Sequence, residues 1–157
     1  MRLLEDRGQK LDVRIVAFCC NWCSYAGADL AGTSRLQYPA QVKIVKVPCS
    51  CRVDPLFVLR AFGRGADGVI ICGCHPGDCH YATGNYYTRR RIALLYSMLE
   101  YLGIERGRTH LEWVSAAEGA KFADVMDSFT EQVRGLGKNK RLADWRLKNV
   151  GANEGES

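Results

Sequence analysis

Long apolar runs are missing from this chain of 157 residues, and none approaches the ~20 apolar residues that a membrane helix requires. Residues 1–12 are charged and lack the apolar stretch of a secretory signal. These two absences predict a cytoplasmic protein with no membrane partner. Internal repeats are absent as well, which excludes a solenoid. Hydrophobic residues make up 47% and charged residues 25% of the chain, ordinary globular proportions that exclude disordered and fibrous classes. A chain of this length buries roughly two thirds of its unfolded surface, enough for a core without covalent staples.

A net basic excess is also missing from most of the molecule. The net charge is +5, and residues 134–148 account for all of it, with Arg134, Lys138, Lys140, Arg141, Arg146 and Lys148 against Asp144. The excess belongs to a tail and not to a domain surface, so a nucleic-acid partner is not expected. Cysteine is absent from residues 80–157, yet eight crowd into the first 79: Cys19, Cys20, Cys23, Cys49, Cys51, Cys72, Cys74 and Cys79. That density is below a disulfide-stapled miniprotein. In a cytoplasmic chain, clustered thiols read as metal ligands or redox groups.

Strand and helix patterns alternate along the chain. Residues 13–18, 42–47, 68–72 and 111–114 are apolar or alternating runs of strand length. A helix is expected to open near Cys23 in a stretch rich in alanine and glycine, and a second near Arg52. Asp54-Pro55 is a helix start, because Asp caps the first turn and Pro occupies a position whose N–H has no partner. The helix over residues 56–64 follows it. A longer helix is expected over residues 86–102, with Ile92, Leu95, Tyr96, Leu99 and Leu102 on one stripe. Ser115 and Glu118 have the capping-box spacing, and Phe122, Val125, Met126, Phe129 and Val133 form the stripe of the helix after them. The pattern predicts a single α/β domain: a four-stranded, mainly parallel sheet with helices on both faces (Rossmann/flavodoxin-like) and a basic C-terminal tail.

In such a sheet the ends of successive parallel strands lie at one rim, where these folds bind ligands. Cys20 and Cys23 follow the first strand, Cys49 the second, and Cys74 and Cys79 the third. Four of these five thiols can saturate one iron–sulfur cluster or one tetrahedral zinc. Gly73 and Gly77 are expected to let main-chain N–H groups approach sulfur, and the two helix starts to add positive dipole ends. Cys72 and Cys19 read as small core residues. His75 and His80 are expected to support the loop and not to bind metal, and Arg89, Arg90 and Arg91 to form a solvated first turn. Trp22 either shields the centre or joins the core. Zinc-stapled interaction and thiol–disulfide exchange through Cys20 and Cys23 remain open beside the iron–sulfur reading.

The segments FCCNWCSYAGAD (18–29), GTSRLQYP (32–39), GCHPGDCHY (73–81), GNY (84–86) and EWVSAAEG (112–119) closely resemble the delta subunit of methyl-viologen-reducing hydrogenase. The same domain occurs fused to the flavin-containing subunit of heterodisulfide reductase and beside formate dehydrogenases. The resemblance covers about residues 13–135. It implies a [2Fe–2S] cluster that relays electrons from hydrogenase or formate dehydrogenase subunits to that flavin-containing subunit of heterodisulfide reductase. It implies Cys20, Cys23, Cys49, Cys74 and Cys79 as candidates for the four iron-ligand places. In this pattern the first residue of the Cys19-Cys20 pair need not be cysteine. Cys51 stands where the pattern has glycine. The layout expected is an N-terminal extension (1–12), an iron–sulfur domain (13–135) and a basic tail (136–157), whose Trp145 and Leu147 suit a docking segment.

Overall fold

A computed structural model describes residues 12–141 of the chain. Four strands, β1 (Ile15–Cys20), β2 (Val42–Val47), β3 (Gly68–Gly73) and β4 (Thr109–Trp113), form one sheet in the order β2-β1-β3-β4. Every neighbouring pair is parallel. Helices α1 (Ser24–Thr33), α2 (Pro55–Gly63), α3 (Gly84–Tyr101) and α4 (Gly119–Leu136) complete a single α/β domain. The order places β1 and β3 side by side in the middle, so their C-terminal ends share the rim where the chain switches direction across the sheet.

Side-chain alternation divides the core. Ile15, Ala17 and Cys19 of β1, with Ile70 and Cys72 of β3, face α1 and α4 and pack on Phe122, Met126, Phe129 and Val133. Phe18, Val69 and Ile71 face the other way, toward Val58 and Phe62 of α2 and Ile92, Leu95 and Leu99 of α3. Each large aliphatic side chain buried in this way contributes about 1.5–3 kcal/mol. Cys19 and Cys72 are fully buried strand residues, as their apolar setting predicts. The alanine and glycine of α1 have a steric cause. A Cβ at Gly27 would lie 2.9 Å from the Ser115 carbonyl oxygen, and one at Gly119 would lie 2.9 Å from the Ala31 nitrogen, so α1 sits directly against the start of α4.

Several boundaries differ from the sequence reading. β4 starts at Thr109, two residues early, and α3 starts at Gly84 instead of Tyr86. α4 does not start at Ser115. Residues 116 and 117 form a turn, the helix opens at Gly119, and Glu118 carries only its own half of the capping box by accepting the Ser115 N–H at 2.7 Å. Near Arg52 there is one 3-10 turn, Ser50–Arg52, and the helix proper waits for Pro55, where Asp54 accepts the Leu56 N–H at 2.8 Å. Leu102 is exposed while Ile92, Leu95 and Leu99 are buried, because Leu102 lies past the last helical turn.

Residues after α4 fold back on the domain. Asp67, buried before β3, accepts the backbone N–H of Arg14 at 2.9 Å and of Asn139 at 2.8 Å. Arg108 is fully buried and donates to Glu105 and to the carbonyls of Asp67, Leu136 and Gly137. Residues 1–11 and 142–157, with Trp145 and Leu147, lie outside the described residues. Among the described residues no helix is long and apolar enough to cross a membrane.

Candidate metal centre

Three strand ends deliver thiols to one place. Cys20 is the last residue of β1, Cys23 precedes α1, Cys49 follows β2, and Cys74 and Cys79 follow β3. These five side chains form one buried cluster, with Cys51 packed against it and half-exposed. All are free thiols. The sulfurs of Cys20 and Cys74 lie 3.7 Å apart, and those of Cys49 and Cys79 lie 4.0 Å apart. Cys20, Cys23 and Cys74 place their sulfurs within 4.8 Å of one another. Two thiolates bound to one tetrahedral metal at about 2.3 Å are separated by about 3.8 Å. Both close pairs therefore have the spacing of two ligands on one metal.

The local chain explains the convergence. Ser24 accepts the Cys20 N–H at 2.8 Å and donates to the Cys72 carbonyl at 2.8 Å, tying the end of β1 to that of β3. A Cβ at Gly73 would strike Ser50 Oγ and Trp113 at 2.8 Å, so the missing side chain lets the Cys49-Ser50 turn close over β3. Ser50 and Thr88 share a hydroxyl hydrogen bond of 2.8 Å, which fastens that turn to α3. Asn85 donates from Nδ2 to the carbonyls of Cys74 (3.1 Å) and His75 (2.8 Å). Gly84 closes the nest: a Cβ there would lie 2.6 Å from the Cys49 sulfur and 3.1 Å from that of Cys79. Ala82 adopts a left-handed φ of 65° to turn the chain from the Cys79 loop into α3.

Hydrogen bonds suit negative sulfur. The Cys20 thiol is lowered to about 5, first by the hydrogen bond from the Cys23 thiol and then by the N–H groups of Trp22 and Ser50, against the cost of burial. Cys23 is pushed up as the donor of that pair. Burial pushes Cys49 up to about 12, opposed by the Cys51 N–H. Burial likewise raises Cys74, opposed by a hydrogen bond from Cys23 and, more weakly, by the His80 N–H. A cation placed among these sulfurs favours the thiolate at each of them. Buried thiols at tetrahedral spacing, main-chain donors aimed at sulfur and a glycine where any side chain would intrude fit a thiolate-bound metal or cluster.

The main-chain donors are those of Trp22, Ser50, Cys51 and His80; Gly73 gives the Ser50 turn room to approach, as expected of it, whereas Gly77 gives way to no neighbour. A Cβ at Gly77 would meet nothing; its φ of 92° serves the turn. His75 Nε2 pairs with Glu118 Oε2 at 2.7 Å, and Glu118 is held down to about 2 by the Ser115 N–H and then by His75. His80 stacks on Trp22 with ring centroids 3.7 Å apart. Trp22 is 48% exposed, so it is not a core tryptophan; it donates to the Tyr81 hydroxyl at 3.3 Å and covers the loop after β3. Arg91 donates to the Cys51 carbonyl, whereas Arg89 and Arg90 are exposed. Gly84, Asn85, Ser24 and Thr88 are site-building residues that chemistry-led reading passes over. The GNY segment ahead of an amphipathic helix is the signal for the first two.

Residues 15–137 match the family described as methyl-viologen-reducing hydrogenase, delta subunit. The iron-sulfur subunit of the vhc F420-non-reducing hydrogenase of Methanococcus voltae is 54% identical over 124 residues, 79% of this chain and 86% of that protein. The iron-sulfur subunit of the F420-non-reducing hydrogenase of Archaeoglobus profundus is 52% identical over 132 residues, covering 84% and 96% of the two chains. One subunit of the ferredoxin/F420H2-dependent CoB-CoM heterodisulfide reductase of Methanosarcina acetivorans is 43% identical over 123 residues, 78% of this chain but 16% of that longer protein. By the extent of these matches and by the thiol-bearing strand ends, the chain belongs to the family of the methyl-viologen-reducing hydrogenase delta subunit.

Proposed function

We propose that this protein is an electron-transfer subunit that carries one [2Fe–2S] cluster on four of Cys20, Cys23, Cys49, Cys74 and Cys79. The observation that supports it is the pairing of sulfurs at 3.7 Å and 4.0 Å from three separate strand ends, one pair for each of two irons. Cys20 with Cys74 suits one iron and Cys49 with Cys79 the other, with Cys23 beside the first pair. The cluster, when bound, supplies a one-electron couple. The chain's own groups fix the sulfurs, donate main-chain hydrogen bonds that set the potential, and keep water from most of the site.

Electrons enter from a hydrogenase or formate dehydrogenase subunit and leave to the flavin-containing subunit of heterodisulfide reductase, in the cytoplasm. A similar segment lies within a longer heterodisulfide reductase chain, and that fusion supports the acceptor. Exposed Trp22, Tyr81, Tyr86 and Tyr87 around the thiol loops and the start of α3 offer the partner an aromatic surface close to the centre. One observation favours a second reading: the sulfurs of Cys20 and Cys23 lie within 4.8 Å of each other just before α1, a spacing that suits thiol–disulfide exchange, and the Cys23 thiol lowers that of Cys20. Anaerobic purification followed by visible spectroscopy, acid-labile sulfide assay and EPR of the dithionite-reduced protein separates the readings. The cluster makes the protein brown, with a spin-one-half EPR signal on reduction. A colourless, metal-free protein that reduces a test disulfide overturns the proposal, as does a colourless zinc protein.

A further inference from the structure

Each close pair of sulfurs has a third thiol beside it. Cys23 stands beside Cys20 and Cys74, within the same 4.8 Å group. On the other side Cys51 packs against the cluster near Cys49. The site of an added Cβ on Gly84 marks its position: 2.6 Å from the Cys49 sulfur, 3.1 Å from the Cys79 sulfur and 3.5 Å from the Cys51 sulfur. Three sulfurs thus border the start of α3, but unlike Cys20, Cys23 and Cys74 they do not all lie within 4.8 Å of one another, so Cys51 must rotate toward the pair to join it. We propose that Cys51 is a reserve metal ligand, able to complete the metal position shared by Cys49 and Cys79 when either of those thiolates is withdrawn. This rests on the metal-centre reading above and extends it to a residue outside the five.

The chain geometry supports the exchange. Cys49 and Cys51 flank Ser50 in one 3-10 turn, closed by the Arg52 N–H to the Cys49 carbonyl at 2.9 Å. The turn is held from α3 at two points, by Thr88 on Ser50 and by Arg91 on the Cys51 carbonyl. The backbone that carries both thiols is therefore fixed relative to Gly84, and side-chain rotation is the motion required. Cys49 is buried and Cys51 is half-exposed, so the two ligation states differ in how far one sulfur meets water. Cys51 would hold the metal as a thiolate, its proton passing to the thiolate it replaces, or to solvent in a variant that lacks that thiol, with no transfer of electrons. Greater solvent exposure of a ligating sulfur changes the spectroscopic signature and potential of such a centre.

The test compares anaerobically loaded full-length wild type with Cys51→Ser, Cys49→Ser, Cys79→Ser and the two double variants that add Cys51→Ser to each of the others. Iron and labile sulfide per chain, the EPR line shape and far-UV circular dichroism are the readouts. Cys51→Ser is expected to match wild type. Cys49→Ser and Cys79→Ser are expected to keep their iron with a shifted EPR spectrum, and each double variant to lose most of it. Single variants as empty as the doubles overturn the proposal, and so do doubles as full as the singles. If one single variant does not fold, the other decides. A wild-type protein that holds zinc and no labile sulfide removes the iron–sulfur reading, and zinc per chain in the same variants then decides for or against Cys51.

Discussion

Gly84→Ala separates a helix start from a sulfur cradle, because the two roles predict effects of opposite sign. Gly84 is not among the glycines with positive φ, so alanine fits its backbone. As a mere helix residue, alanine gains up to about 1 kcal/mol over glycine. The sulfurs reverse this. The new Cβ falls 2.6 Å from the Cys49 sulfur, about 1 Å or more inside a normal contact of ~3.5–4.0 Å. It cannot escape easily, since α3 is tied down by Asn85 on the Cys74 and His75 carbonyls and by Thr88 on Ser50. Overpacking of this kind costs about 1–3 kcal/mol. The expected result is a metal-free protein destabilised by about 1–2 kcal/mol in urea. The loaded protein is expected to contain less iron and to show an altered EPR spectrum, because two sulfurs are displaced together. A variant more stable than wild type, with full iron and an unchanged spectrum, refutes the cradle.

Other substitutions probe the rest of the account. Cys74→Ser is expected to change the visible and EPR spectra, while Cys72→Ser, in the core strand, leaves them unchanged at a cost of stability seen in thermal melts; identical spectra for both count against the assignment of the loop thiols. Arg108→Met strands the carbonyls of Asp67, Leu136 and Gly137 and is expected to cost about 3–5 kcal/mol, a fall in Tm on the order of 10 °C. A Tm within error of wild type contradicts that role. Arg108 also lowers the Glu105 carboxyl below its ordinary 4.5, so this pair's contribution is full above about pH 4.5 and fades as pH falls below it. Glu105→Gln is expected to flatten that acid limb of the stability curve. Trp22→Ala, at the exposed edge of the thiol loops, is expected to weaken partner reduction of the centre while leaving its EPR spectrum intact; stopped-flow reduction by the partner complex measures this.

The architecture was legible because strand and helix periods are strong here and the thiols punctuate strand ends. Five cysteines, spread from position 20 to 79, are brought together by crossover connections that the alternating pattern implies. Cys19 and Cys72 were legible for the same reason, since their parity with Ala17 and Ile70 sends them into the α1–α4 side of the core. What was not legible depends on packing across distant segments. Nothing local to Gly84 shows that Cys49 will pass beneath it, and Trp22 becomes a surface lid only because His80 arrives from the loop after β3. The capping box misled for a physical reason: Glu118 is drawn into a bond with His75 as well as Ser115, and the helix waits until Gly119, where α1 approaches.

The most direct measurement is the Mössbauer spectrum of anaerobically purified protein enriched in the Mössbauer-active iron isotope, before and after reduction. The account predicts two sulfur-ligated ferric irons per chain that are magnetically coupled to a diamagnetic ground state, one of which becomes ferrous on reduction, giving a spin-one-half centre. A chain without iron, or with one isolated paramagnetic iron, contradicts it.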